Sequence, residues 1–455
     1  MQFIPPTQPL SARPPRPQRC FTSIAVEDAI ARISPGIADV QVRAMFGHCL
    51  PNTLDTTVAT GLDAHGRPDT FVITGDIEAM WLRDSTNQVW PYLPFAKDDP
   101  ALRNLLAGVV NRQAACIRID PYANAFNHGP IGGHWQSDHT AMKPELHERK
   151  YELDSLCAVL RLACGYYEAT GDVAPFDAGW ITAIDLIVQT ITDQQRGTLA
   201  DEPPAYAFQR TTSTSSDTQP LGGRGHPART CGLSKSHFRP SDDAHHLPFP
   251  VAANAMAVTW LRRTARVLRA ISQPERAQRL DHLAAEIDGA LHAHGTVDHP
   301  RHGRIWAFEV DGYGNTYCMD DANVPSLLAL PYLGYGSADD TLYRRTRAFV
   351  LSHDNPYFFR GSAAEGIGGP HVGMVMIWPM AIVMRALTST DDSEIRTCLR
   401  TLRDTTAGTG FMHESFHQDD ASNYSRHWFA WANTLFGELI LHLDRTRPGL
   451  LAAAL

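Results

Sequence analysis

Several short segments of this 455-residue chain bring carboxylates together with the partners that proton transfer needs. RPSDDA (239–244) sets Asp242 and Asp243 side by side after a proline-fixed turn, where repulsion between like charges raises one pKa enough to hold a proton near neutral pH. A general acid needs that proton. GTGFMHESF (408–416) puts Glu414 on a glycine-rich loop ahead of the last aromatic helix, in a position to take a proton from water. Two carboxylates on opposite sides of a sugar are the minimum machinery of glycoside hydrolysis, with about 6.5–9.5 Å between them when the configuration inverts. TGDIEAMWLRDS (74–85) packs Asp76, Glu78, Arg83 and Asp84 around Trp81, and MDDAN (319–323) adds Asp320, Asp321 and Asn323. A polyol ligand calls for that mixture: carboxylates to accept hydroxyl protons, a guanidinium fork to donate, and an indole face for the C–H surface of a sugar. The competing reading makes Asp84 and Ser85 a helix N-cap, Arg83 a surface partner, and the other acids caps or salt bridges. Composition alone leaves both readings open.

These segments lie between helices. Helical periodicity predicts about a dozen, over 25–33, 84–94, 101–118, 151–169, 177–195, 252–271, 274–293, 322–333, 339–352, 371–388, 392–405 and 425–445. Long loops rich in Gly, Pro, His and Asp separate them at 119–150, 197–250, 295–320 and 353–371, with short strand-like pieces such as Ile305 to Val310. Loops of that length in a helical domain usually carry function. A ring of helical hairpins with a ligand pocket at one end suits this pattern, although no sequence-level repeat supports it. The Ser/Thr run 211–216 is the best candidate for a mobile surface segment.

Length alone permits one to three domains. Forty basic against 49 acidic residues give a net charge of −9, which argues against nucleic acid or an anionic membrane as partner and fits a neutral small ligand. The longest uncharged stretch, 366–384, is broken by glycines and Pro379, so no membrane span is expected. Residues 1–22 read as a proline-rich disordered leader without a secretory signal, and 448–455 as a tail. The eight cysteines form no CxxC and no zinc spacing; Cys157 and Cys164 share an apolar helix face with Leu153, Leu156, Leu160 and Tyr167, so buried reduced thiols and an intracellular setting are expected. The 21 histidines, His299-x-x-His302 among them, read as solvated or hydrogen-bonded groups rather than ligands. The glycine pattern at Gly223-Arg-Gly225 follows no strand, and Pro227 stands where a helix would open, which excludes a dinucleotide-binding turn. Asn423-Tyr-Ser425 is a chance match to a glycosylation acceptor.

Ten motifs together resemble glycoside hydrolase family 125, the exo-acting α-1,6-mannosidases. They are TGDIEAMWLRDS, KYELDSL (150–156), FRPSDDA (238–244), VDGYGN (310–315), MDDANVPSLLALPYLG (319–334), NPYFF (355–359), GIGGPH (366–371), IWPM (377–380), AGTGFMHESFH (407–417) and RHWFAWANTLFGELI (426–440), spread over almost the whole chain. The resemblance implies an all-α (α/α)6 barrel, expected here as one catalytic domain over 23–447, and a reaction without metal or cofactor that inverts the anomeric configuration. It places the general acid at Asp242, with Asp243 as the alternative, and the general base at Glu414. Trp81, Arg83, Asp84, Asp154, Asp320, Asp321, Asn323 and His371 become the pocket for a terminal mannose. The implied partner is an α-mannoside oligosaccharide. The segments 230–237 and 245–250 depart from the family pattern beside the acid. Two other readings remain: an (α/α)6 hydrolase acting on another α-glycoside, such as an α-glucoside, or a catalytically silent glycan-binding protein.

Overall fold

The computed structural model describes residues 12–200 and 202–455. Most of the expected helices form within a few residues of their predicted bounds, including Ile24–Ile33, Pro100–Ile119, Leu153–Thr170, Ala178–Asp193, Val251–Ala270, Pro274–His294 and Asp392–Asp404. Local signals explain several ends. Ser23, Asp177 and Asp391 accept amide hydrogens from the first turns of their helices, and Gly171 at φ +68° closes Leu153–Thr170 in the left-handed region that favours glycine.

Three expectations need correction. No helix forms over 322–333, because Pro325 disfavours helical backbone at Val324 and Pro331 lacks an N–H; the segment is a run of turns. The helix expected over 371–388 begins only at Pro379, since Gly373 and Val375 both have positive φ and Met376–Ile377 is a strand. Periodicity also missed Val40–Cys49, whose start is fixed by the Asp39 carboxylate accepting from the amides of Gln41 and Val42.

The chain divides into two compact units. One gathers the described part of Met1–Met80 with Asp84–Val109 and Tyr357–Leu455. Its centre is the helix Ala430–Thr446, which packs on Pro379–Leu387, on Val40–Cys49 and on Asn52–Thr56. Gly437 permits the close approach of Leu50, which caps the end of Val40–Cys49, because a Cβ there would come within 2.8 Å of the Leu50 Cα. Of the expected leader, residues 1–11 lie outside the described residues, whereas 12–22 are tied down. Arg13 binds both Asp55 and Glu27, and the Cys20 and Phe21 amides donate to the carbonyls of Asp55 and Leu54. The expected tail contains a short helix, Pro448–Ala452, that buries Leu450 and Leu451.

The other unit holds Trp81–Arg83 and Val110–Pro356. Leu153–Thr170, Ala178–Asp193, Val251–Ala270 and Pro274–His294 pack as successive helical hairpins. The apolar face predicted around Cys157 and Cys164 is buried. All eight cysteines are free thiols, five of them buried. A hairpin of Thr296–His299 and Gly303–Trp306 lies against the helix Thr341–Val350. Among the described residues no helix is long and apolar enough to cross a membrane.

Candidate active site

In the second unit the turn at Arg239-Pro240-Ser241 closes by a hydrogen bond from the Asp242 amide to the Arg239 carbonyl, 2.8 Å, and delivers Asp242 at φ +68°. Aspartate tolerates that region better than most residues. Lys150 Nζ donates to the Asp242 carbonyl at 2.8 Å and fixes the turn from below. The Asp242 side chain is 24% exposed and receives Arg83 Nη2 at 3.2 Å and Asn124 Nδ2 at 3.4 Å.

Glu152 meets the same two donors. Arg83 Nη1 binds its carboxylate closely, Asn124 Nδ2 reaches it at 3.2 Å, and Glu152 and Asp242 also hydrogen-bond each other. Arg83 further contacts Asp154 at 3.3 Å. One guanidinium thus faces three carboxyl groups, two of them fully buried, and a single positive charge cannot keep all three ionised. Burial overcomes the attraction of Arg83 and, helped by repulsion from Asp242 and Asp154, drives the Glu152 pKa well above the usual carboxylate range. Burial likewise raises Asp154. The cluster therefore holds a proton that Glu152 and Asp242 share. The sequence placed the repulsive partner of Asp242 at Asp243; in space it is Glu152.

Asp243 lies elsewhere, 4% exposed. Ser241 Oγ bridges it, at 3.4 Å, to Asp321, at 3.2 Å. Asp321 also accepts from the backbone and side-chain nitrogens of Asn323, at 3.1 and 3.2 Å. Asp320 is fully buried, and its two oxygens accept the Leu327 and Leu328 amides at 2.8 and 2.9 Å. That carboxyl anchors the run of turns found at 322–333, and burial raises its pKa to about 8. Beneath the acid turn, Arg239 Nε donates to Glu309 at 2.8 Å, while His245 Nδ1 and the amides of His246 and Leu247 complete the shell of Glu309. Burial opposes ionisation, but Arg239 and His245 hold the Glu309 pKa down to about 2. The atypical His245-His246 segment thus serves as the strut of this turn. Trp81 is almost buried, its ring 5.1 Å from that of His147.

Glu414 belongs to the first unit. Ser425 Oγ donates to its Oε2 at 2.7 Å, and Arg426 Nη1 approaches Oε1 at 3.4 Å. Arg426 is itself held by Asp76, with Nε 3.2 Å from Oδ2. His413, stacked on Tyr424 with ring centroids 3.9 Å apart, fixes the loop through Nδ1 and the Arg426 carbonyl. The far side of the loop is tied to the last helix, since the Met412 amide donates to Asn433 Oδ1 at 2.8 Å. Gly75 allows the Trp428 ring to close over it; a Cβ there would meet the ring at 3.1 Å. Asp84 and Ser85 do not cap a helix, because Leu82–Val89 has already begun; Asp84 is an acid of its first turn and is buried. His371 is exposed, with its ring 6.3 Å from that of Trp378.

The structure thus brings Arg83, Asp154 and Asp242 together, pairs Asp321 with Asn323, and gives Asp320 to the scaffold. Sequence reasoning missed Glu152, Asn124, Ser425 and the use of Arg426. Glu152 was within reach, since it lies in KYELDSL two residues before Asp154. It is the extended N-cap residue of Leu153–Thr170 yet caps no amide, which frees its carboxylate for Arg83. Asn124 carried no signal, because its role comes from a hydrogen bond between its carbonyl and the Leu82 amide, 42 residues earlier in the chain.

The family model for metal-independent alpha-mannosidases (GH125) matches residues 39–441. A curated relative from Schizosaccharomyces pombe, the meiotically up-regulated gene 157 protein, is 42% identical over 99% of this chain and 92% of its own. A Streptococcus pneumoniae metal-independent alpha mannosidase, solved in a non-productive complex with alpha-1,6-mannobiose, superimposes with a TM-score of 0.89 at 39% identity, covering 94% of this chain and all of that one. A bacterial glucoamylase complexed with acarbose, at 14% identity and a TM-score of 0.56 over 92% of this chain and 58% of its own, shares the fold alone. These likenesses give the helix-rich (α/α)6 class of the six-hairpin glycosidases, as the sequence predicted. The chain belongs to glycoside hydrolase family 125 and is a glycoside hydrolase of the α-mannosidase type.

Proposed function

We propose that this α-mannosidase is exo-acting and inverting, and that it removes non-reducing terminal mannose from α-1,6-linked mannooligosaccharides or N-glycans. The observation that carries the linkage is the likeness, at 39% identity, to a protein seen with alpha-1,6-mannobiose. In this reading Asp242 gives its proton to the glycosidic oxygen as the C1–O bond breaks, and Glu414 takes a proton from the water whose oxygen bonds to C1 on the face away from the leaving group. The products are β-mannose and the shortened glycan. The proton shared with Glu152 supports Asp242 rather than Asp243 as the acid, as does its greater exposure. Ser425 and Arg426 orient Glu414. Trp81, Arg83, Asp84, Asp154, Asp321, Asn323 and His371 contribute to recognition of the terminal sugar, and Asp320 shapes that site through the turn it holds.

The test is incubation of the full chain with α-1,6-mannobiose in EDTA, following the first minutes by proton NMR, with isomaltose in parallel. β-Mannose appearing first, with no glucose from isomaltose, is the expected result. No cleavage of the mannobiose would sink the linkage, α-mannose as first product would sink inversion, and loss of turnover in EDTA would sink metal independence in this chain.

A further inference from the structure

Among the described residues, one group of potential metal ligands has its donor atoms within 4.8 Å of one another: His299, His302 and Asp354. The spacing His299-x-x-His302 matches no helical zinc motif, yet a helix is not what presents it. The two histidines flank the turn of the hairpin Thr296–His299 with Gly303–Trp306, and Asp354 comes from the loop after the helix Thr341–Val350. The frame around them is fixed. Trp306 N donates to Thr346 Oγ1 at 2.9 Å, locking hairpin to helix, and Phe349 backs both imidazoles with centroids at 5.2 and 5.7 Å. Asp354 is steadied in turn, its amide donating to Ser352 Oγ at 3.2 Å.

We propose that His299, His302 and Asp354 form a site for a borderline transition-metal ion, zinc foremost, that staples this hairpin to the 351–355 loop. Two imidazoles and one carboxylate suit zinc, whereas magnesium and calcium demand oxygen ligands. His302 Nε2 already lies 2.7 Å from Asp354 Oδ2, the vector along which an ion would insert. A tetrahedral ion with bonds of about 2.0–2.1 Å needs its ligands about 3.3 Å apart, so binding opens the 2.7 Å His302–Asp354 pair by about 0.6 Å and seats His299 beside it. The turn residues His299 and His302 can supply that movement. The opposing feature is Arg301, which pairs with the Asp354 carboxylate but is 76% exposed and free to swing away. The fourth position is left to water. This ion has no part in glycoside cleavage.

The full-length chain, stripped with EDTA and returned to zinc, should retain one zinc per chain after gel filtration in micromolar zinc. It should also gain about 3 °C in melting temperature at a hundredfold excess over Kd. Cobalt in place of zinc should give the visible bands of a tetrahedral ion. His299→Ala, His302→Ala and Asp354→Asn should each lose the retained zinc, while Arg301→Ala should bind it about tenfold more tightly by releasing Asp354. Absence of retained zinc and of cobalt bands in the wild type overturns the proposal, as does zinc retention that survives all three ligand substitutions. An unchanged affinity in Arg301→Ala removes Asp354 from the ligand set.

Discussion

Replacing Glu152 with Gln isolates the shared proton. Gln keeps the shape of Glu152, can turn its carbonyl oxygen towards Arg83 and presents its NH2 to Asp242, but it contributes neither charge nor a titratable proton. In the wild type, ionising both carboxyls sets like charges against each other across one Asn124 amide, at 3.2 and 3.4 Å. Taking the charge centres as about 5 Å apart at an effective dielectric of about 20, that repulsion is about 3 kcal/mol. It raises the pH at which the pair gives up its last proton. In Glu152→Gln the repulsion is gone and Arg83 remains, so Asp242 ionises at lower pH and the basic limb of kcat/KM moves to acid. Above the limb, each unit costs about tenfold in the protonated fraction. Initial rates on α-1,6-mannobiose from pH 4 to 9 read the limb directly, with circular dichroism as the control for folding. A basic limb that stays within about half a unit of wild type, or moves to higher pH, refutes the shared-proton account.

Asp242→Asn and Glu414→Gln should each lower kcat on mannobiose by at least about 10²–10⁴-fold. On an aryl mannoside with a good leaving group, Asp242→Asn should recover most of that loss and Glu414→Gln none; recovery in the opposite variant reverses the assignment. Ser425→Ala, which removes the 2.7 Å hydrogen bond to Glu414, should lower kcat about tenfold with KM little changed, and an unaltered kcat would remove Ser425 from the orientation of the base. Glu309 has its pKa held at about 2, below the unfolded value of about 4.3, so its contribution to stability is complete above about pH 4.3 and lost as pH falls towards 2. That contribution is about 3 kcal/mol. Urea unfolding at pH 6 and pH 3 should show Glu309→Gln less stable at pH 6 and with a smaller drop between the two; equal drops would contradict the linkage.

What could be read from sequence was what repeats or clusters locally. The helix Pro274–His294 announces itself by Pro at its first position and by periodic Ala277, Leu280, Ala284 and Ile287. The segment 322–333 misled because a run such as Val324 to Leu330 is apolar on every side, and such a run is as compatible with buried turns as with a buried helix. At the site, motif reasoning found the carboxylates but assigned their partners by proximity along the chain. Asp242 and Asp243 are adjacent in sequence and diverge in space, since consecutive side chains at a turn leave in different directions. Arg83 meets Glu152 and Asp242 across 69 and 159 residues, a register set by backbone hydrogen bonds that no local pattern encodes.

The division of the chain has a consequence for synthesis on the ribosome. One unit is nearly continuous, Val110–Pro356, and can fold as soon as that stretch has emerged. The other is assembled from the beginning and the end of the chain. Until Ala430–Thr446 appears, Val40–Cys49 lacks the helix it packs on most extensively, so its apolar Val42, Met45 and Phe46 wait for the end of the chain. Glu414 is made in the same last stretch. In the proposed mechanism a nascent chain therefore carries its acid early and acquires its base only with this last stretch, so the reading expects chains cut short before Glu414 to be inactive.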